Sequence, residues 1–142
     1  MSKYQSIRRA NFKMIELELY NYHESKQELE AMKNDIIEST ASGEGLRVQN
    51  GVTDVTCRKA DALMSSVAIR ETERRVKAIE HAVKLIECHP DKDRIKLLKL
   101  KYFDKHLTDY GIQQEIGISE RTYRNWRREI VQLVADRLGY RI

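Results

Sequence analysis

The sequence predicts an all-α fold: a pair of long helices, arranged as a hairpin or coiled coil, followed by a small helix-turn-helix domain. Three observations predict it. Apolar residues recur at spacings of three and four through most of the 142-residue chain, the period of a helix face. One proline and six glycines are too few for the turns that many short strands require. A cluster of small polar residues near 39–53 and a proline at 90 divide the periodic segments. The expected organisation is therefore a helical region over residues 1–89 and a second domain over 90–142.

The first helix is expected over residues 4–38. Ile15, Leu19, Tyr22, Leu29 and Ile36 share one stripe, interrupted by Lys26 and Lys33, and such a stripe suits a helix packed on a partner. Residues 39–52 read STASGEGLRVQNGV, aperiodic and rich in turn formers, hence a flexible connector. Thr53 or Asp54 is the expected cap of the next helix. That helix spans about residues 55–87, with Ala62, Ser65, Ile69, Thr72, Val76, Ile79, Val83 and Ile86 on its seam. An intramolecular hairpin and a dimeric coiled coil both satisfy this pattern. Pro90 ends the helix and is expected to start the next. Asp91 and Asp93 suit the positive end of its dipole. Ile95, Leu97, Leu98 and Tyr102 form its inner face, and Lys92, Arg94, Lys96, Lys99 and Lys101 point mostly outward. It is expected to end near Phe103 and Asp104.

Residues 107–128 read LTDYGIQQEIGISERTYRNWRR. Thr108 is the expected N-cap of a short helix ending near Ile116. Gly117 supplies the turn, since glycine takes a positive φ without steric cost. Ile118 returns the chain to the core, and Ser119 caps a helix reaching about Leu138, where Gly139 stops it. Ile112, Ile116, Ile118, Tyr123, Trp126 and Ile130 are the expected wedge core of a helix-turn-helix.

The other face of the last helix carries Ser119, Glu120, Arg121, Thr122, Arg124, Asn125, Arg127 and Arg128. Those residue types fit base-pair edges in double-stranded DNA. Arginine bonds guanine O6 and N7 together, and asparagine does the same to adenine N6 and N7. Arg121, Arg124, Asn125 and Arg128 are the expected groove readers, and Arg127 a phosphate contact. Glu120 either accepts from cytosine N4 or stabilises the helix start. Thr108 and Ser119, at the helix starts, complete the expected DNA-binding set. An exposed charged face, or a helix-turn-helix reused to bind protein, is the competing account of the same residues.

The charge distribution agrees with a phosphate-binding surface in the last third. Residues 92–142 carry 12 Lys and Arg against 7 Asp and Glu, a net of +5, whereas residues 1–91 carry 14 against 15, a net of −1. The acidic N-terminal helices are the expected homodimer or partner surface. Cys57 and Cys88 stand at no zinc-ligand spacing, and neither a metal nor a cofactor is expected. His23, His81, His89 and His106 are scattered, with no nucleophile-base arrangement or phosphate loop, so an enzyme is not expected. The segment MSKYQSIRRANFK has no apolar core of a signal peptide. No apolar run approaches the ~20 residues that span a bilayer, so a cytoplasmic protein without membrane contact is expected.

Residues 90–139, PDKDRIKLLKLKYFDKHLTDYGIQQEIGISERTYRNWRREIVQLVADRLG, resemble region 4 of bacterial sigma factors. The resemblance lies in the charged run into a Leu-rich helix ending Lys-Tyr-Phe, the Leu-Thr entry and the Gly-Ile-Ser turn. The chain also resembles the RinA-type (ArpU-related) phage late-gene activators, through Ala135-Asp136-Arg137-Leu138-Gly139 and through Leu19-Tyr20-Asn21-Tyr22-His23 followed by Gln27-Glu28-Leu29. The resemblance implies a phage or prophage activator of packaging and structural genes, binding promoter DNA with host RNA polymerase inside a bacterial cell. A small terminase-type packaging subunit is the alternative. Gln113 departs from the pattern, standing where many helix-turn-helices carry Ala or Gly.

Overall fold

The computed structural model describes residues 8–42 and 52–140, with only the backbone described at 39–42, 52–61 and 63. The described residues are all-helical. Helices α1 (Arg9–Tyr20), α2 (Tyr22–Ser42) and α3 (Val52–Glu87) precede α4 (Asp93–Leu98), which runs into a π-helical segment (Lys99–Asp104); α5 (Asp109–Ile116) and α6 (Glu120–Leu138) follow.

The expected first helix is two helices. At Asn21 the backbone leaves helical geometry (φ −94°, ψ 11°). Asparagine side chains compete with helical hydrogen bonding, and tertiary partners hold the break open. Tyr22 stacks on Phe103 with centroids 5.0 Å apart, and Lys105 donates from Nζ to the Tyr20 carbonyl at 2.7 Å. That bond satisfies one of the carbonyls orphaned at the end of α1. Lys105 itself has a φ of 59° and ends the π-helical segment. Helix α2 continues to Ser42 and α3 begins at Val52. Thr53 and Asp54 thus lie within α3 rather than capping it, and residues 43–51 of the expected connector lie outside the described residues. Pro90 sits in the α3–α4 link rather than in the first turn of α4. The turn into α4 is made by the Asp91 carboxylate, which accepts from the Asp93 N–H at 3.0 Å.

The chain divides into two compact units, and not at residue 90. One comprises the chain through His23 and from Arg75 onward; the other is Glu24–Arg74. In the first unit α1 packs on α6 and on the π-helical segment, and α4 packs on α5 and α6. Ile15 and Leu19 of α1, Ile79 and Ala82 of α3, Leu97 and Leu98 of α4, and Val131 and Val134 of α6 are buried in its core. Burying each of the larger aliphatic side chains stabilises the fold by about 1.5–3 kcal/mol. The N-terminal helix is therefore an integral part of the unit that carries the C-terminal helices.

In the second unit Lys33 and Glu73 form an ion pair at 3.3 Å, and Leu29 and Thr72 are buried. The expected stripes fade within it. Ile36 is exposed, as are Ala62 and Ser65 at the start of the α3 seam, whereas Val76, Ile79 and Ile86 at its end are buried.

Lys101 was expected outside and is 7% exposed. The π-helical widening over Lys99–Asp104 shifts the helical phase, so that Lys101 and Tyr102 both turn inward.

Candidate nucleic-acid interface

Local chemistry sets the two helices of the expected motif. The Thr108 side chain accepts from the Gly111 N–H at 3.1 Å and caps α5. Gly117 takes a φ of 76°, and its N–H and that of Ile118 both donate to the Gln113 carbonyl, at 2.8 and 3.1 Å. Ser119 Oγ accepts from the Thr122 N–H at 3.2 Å and caps α6, while donating to Thr122 Oγ1 at 3.0 Å. Gly139, at a φ of 75°, ends α6. The hydroxyls of Thr108 and Ser119 thus act first as caps. Ile112, Tyr123 and Ile130 are buried as expected; Ile116, Ile118 and Trp126 are half-buried.

Three helices grip α6. On the α5 side, the Tyr123 hydroxyl donates to Asp109 Oδ1 at 2.5 Å, and Lys101 Nζ reaches the same oxygen at 2.9 Å. The Lys101 ammonium also lies 5.6–5.7 Å from the ring centroids of Tyr20, Tyr102 and Tyr123, within cation–π range. Burial alone would raise the Asp109 carboxyl, but the bonds from Tyr123 and Lys101 outweigh it and hold the group below its ordinary value. Burial and the Asp109 bond push the Tyr123 hydroxyl up to about 12. On the α4 side, Arg94 pairs with Glu129 at 2.8 Å and lies 5.4 Å from the Trp126 ring centroid.

The third grip comes from α1. Arg127 donates from Nε and an Nη to both oxygens of Glu16, at 2.6 and 2.7 Å. The Tyr102 hydroxyl donates to Glu16 Oε1 at 2.8 Å, and the Arg127 guanidinium lies 5.1 Å from the Phe12 ring centroid. Burial raises the Glu16 carboxyl, yet the bonds from Arg127 and Tyr102 prevail and lower it. Burial and then the Glu16 charge raise the Tyr102 hydroxyl. The bidentate bond to Glu16 raises Arg127 against the effect of burial. Arg127 therefore leaves the expected interface. Its guanidinium fork is taken by an intramolecular carboxylate, the geometry for which arginine is best suited. No local pattern marked this pair, because its partners are 111 residues apart. The one sequence signal was an acid, Glu16, beside Ile15 on the buried stripe.

What remains outward on α6 is a single stripe. Arg121, Arg124, Asn125 and Arg128 are all exposed at spacings of three, four and seven from Arg121, which places them on one face. Arg121, Asn125 and Arg128 have no side-chain partner among the described residues. Arg124 pairs with Glu120 at 2.5 Å, an exposed i, i+4 pair of the kind that contributes only about 0.3–0.5 kcal/mol and is easily exchanged. Thr122 is half-buried at the start of the helix.

Among the described residues no group of three or more His, Cys, Asp and Glu could hold a metal ion, and no helix is long and apolar enough to cross a membrane. Cys88 is a free, exposed thiol. No family model matches the chain, and neither a curated protein nor a solved structure matches it.

Proposed function

We propose that the chain is a sequence-specific binder of double-stranded DNA that activates transcription of phage or prophage late genes together with host RNA polymerase, without enzymatic activity of its own. The observation that carries DNA binding is the outward stripe Arg121, Arg124, Asn125 and Arg128 on a helix that three neighbours hold in place. An α-helix with side chains is about 10–12 Å across, and the major groove is about 12 Å wide. A helix fixed by Tyr123, Arg127 and Glu129 can enter that groove with its free guanidinium and amide groups toward the base edges. Arg124 exchanges Glu120 for a base or a phosphate, leaving the Glu120 carboxylate to accept from cytosine N4. Promoter recognition, the polymerase and the bacterial cytoplasm follow from the resemblance of residues 90–139 to sigma region 4 and to the RinA-type activators. Helix α2 with the part of α3 that precedes Arg75 is the proposed dimer surface, which would make the recognised site twofold symmetric.

The test is selection of binding sites from random duplex DNA with the native chain and with Arg124→Ala/Arg128→Ala. The native chain is expected to enrich a short motif, and the variant to lose preference at particular base pairs, at about 1–3 kcal/mol for each bidentate contact. Weakening that is equal on all sequences would reduce both arginines to phosphate contacts and remove the basis for sequence-specific reading by α6.

A further inference from the structure

We propose that α1 is a second DNA-contacting element, in which Arg9 and Lys13 hold backbone phosphate beside the groove that α6 enters, indifferent to sequence. The inference rests on the reading of α6 as the groove helix and extends it to the opposite end of the chain.

The argument begins with how α1 is rotated. At 3.6 residues per turn, Arg9, Phe12, Lys13 and Glu16 fall within about a quarter to a third of the helix circumference. Phe12 and Glu16 are the residues that grip Arg127 of α6. Glu18, nearly opposite Arg9 on the same helix, pairs with Arg75 of α3 at 3.0 Å. One flank of α1 is thereby committed to α3, and the flank bearing Arg9 and Lys13 to the α6 side. Both residues are nevertheless exposed, so they stand at the rim of the α1–α6 contact. Packed helices lie about 8–10 Å apart, well within the reach of an arginine or lysine head to a strand that borders an occupied groove.

Charge supports the same reading. Among the described residues of this unit, the cations without an acceptor are Arg8 at the N-cap of α1, Arg9 and Lys13 of α1, Arg121 and Arg128 of α6, and Lys84 of α3. By contrast α4 and the segment after it have their less exposed cations held, Arg94 by Glu129 and Lys101 by Asp109, while Lys96 and Lys99 stand 3.9 and 4.0 Å from Asp93 and Glu87. The first turn of α1 contains no acidic residue, so its cations stand against the helix dipole with no local compensation. A local rule broken in this way, next to a proposed binding face, is where function is expected. The ligand it fits is a polyanion that extends past α6, which is the phosphate backbone of the duplex α6 reads.

The experiment measures binding of the full chain to a duplex recovered by selection with the native protein, and to an unselected duplex of equal length, across a salt series. Each phosphate contact contributes about 0.9 to the slope of log affinity against log salt. Arg9→Gln/Lys13→Gln is therefore expected to reduce the slope by about 1.8, so that a fourfold rise in salt weakens native binding about twelvefold more than it weakens the variant. The loss should be equal on both duplexes. Arg9→Lys/Lys13→Arg should retain the native slope, and the charge-matched Arg70→Gln/Lys84→Gln should leave it unchanged. A native slope in Arg9→Gln/Lys13→Gln, an equal fall in the charge-matched control, or a changed base preference would overturn the role of α1 while leaving α6 as the reader. Failure of the native chain to bind either duplex would overturn the reading of α6 as well.

Discussion

Replacing Glu16 with leucine is expected to be among the most damaging single changes to the unit that carries α6. The substitution puts an apolar side chain of similar size in place of the carboxylate and strips two partners at once. Removing one member of a buried ion pair costs about 3–5 kcal/mol, because the other charge is left uncompensated. Here the Arg127 side chain is 31% exposed, so water reaches the guanidinium and the cost falls to about 2 kcal/mol. The Tyr102 residue is fully buried, and its hydroxyl, left without an acceptor, adds about 1–2 kcal/mol. The sum is about 3.5 kcal/mol, which at a urea dependence of about 1.5 kcal/mol per molar lowers the unfolding midpoint by about 2 M. Urea unfolding followed by helical circular dichroism would measure it. Glu16→Leu/Arg127→Met removes both charges and should recover about 1–2 kcal/mol of the loss, since a pair of apolar residues leaves no buried charge behind. A Glu16→Leu cost below about 1 kcal/mol, or strict additivity of the two substitutions, would refute the view that this pair clamps α1 to α6.

Acid should weaken the same contacts. The Glu16 and Asp109 carboxyls are lowered in the folded chain, so the unfolded chain binds more protons and the stabilisation is complete only above the ordinary carboxyl values of about 4. Urea midpoints should hold from pH 7 to 5 and fall as the pH drops through 4 toward the lowered folded values, and Glu16→Gln should flatten that fall. Asp109→Ala leaves the Lys101 ammonium, whose side chain is 6% exposed, without its carboxylate, but the Asp109 side chain is 58% exposed, so water partly replaces it; a loss of about 1–2 kcal/mol is expected, and a calorimetric loss under about 0.5 would contradict the account. Gly117→Ala places a Cβ in open space at a φ of +76°, so its cost is backbone strain alone, about 1–2 kcal/mol, measurable as a midpoint shift without loss of helix content.

The parts of this fold legible in the sequence are those that local chemistry decides. Thr108, Gly117, Ser119 and Gly139 each mark a helix end through a cap or a positive φ that only a few residue types supply, and both C-terminal helices begin and end where those residues stand. The outward stripe of α6 was legible for the same reason, as the complement of its core spacing. The pairing of Arg127 is not legible because its partner comes from the other end of the chain, and no periodicity on α6 separates it from Arg128. Lys101 was misread because a π-helical segment breaks the 3.6-residue phase on which the assignment rested. The break at Asn21 had a weak local signal, and contacts with residues 103 and 105 give it its geometry. Each misplaced residue thus traces to an interaction distant in sequence or to a departure from ideal helix geometry.

The joining of α1 to the C-terminal helices also bears on how the protein matures on the ribosome. The bonds from Tyr102 and Arg127 to Glu16 close chain separations of 86 and 111 residues, and such closures slow folding relative to local helix pairs. During synthesis α1 emerges before its partners: it can meet α3 and the π-helical segment once those have left the exit tunnel, but its contact with α6 must wait for the later helix. A chain arrested before residue 127 has Glu16 without its arginine. The outward stripe of α6 is then held in its final place only once residues beyond 127 have been made, so a chain arrested earlier would lack the clamp that seats this helix.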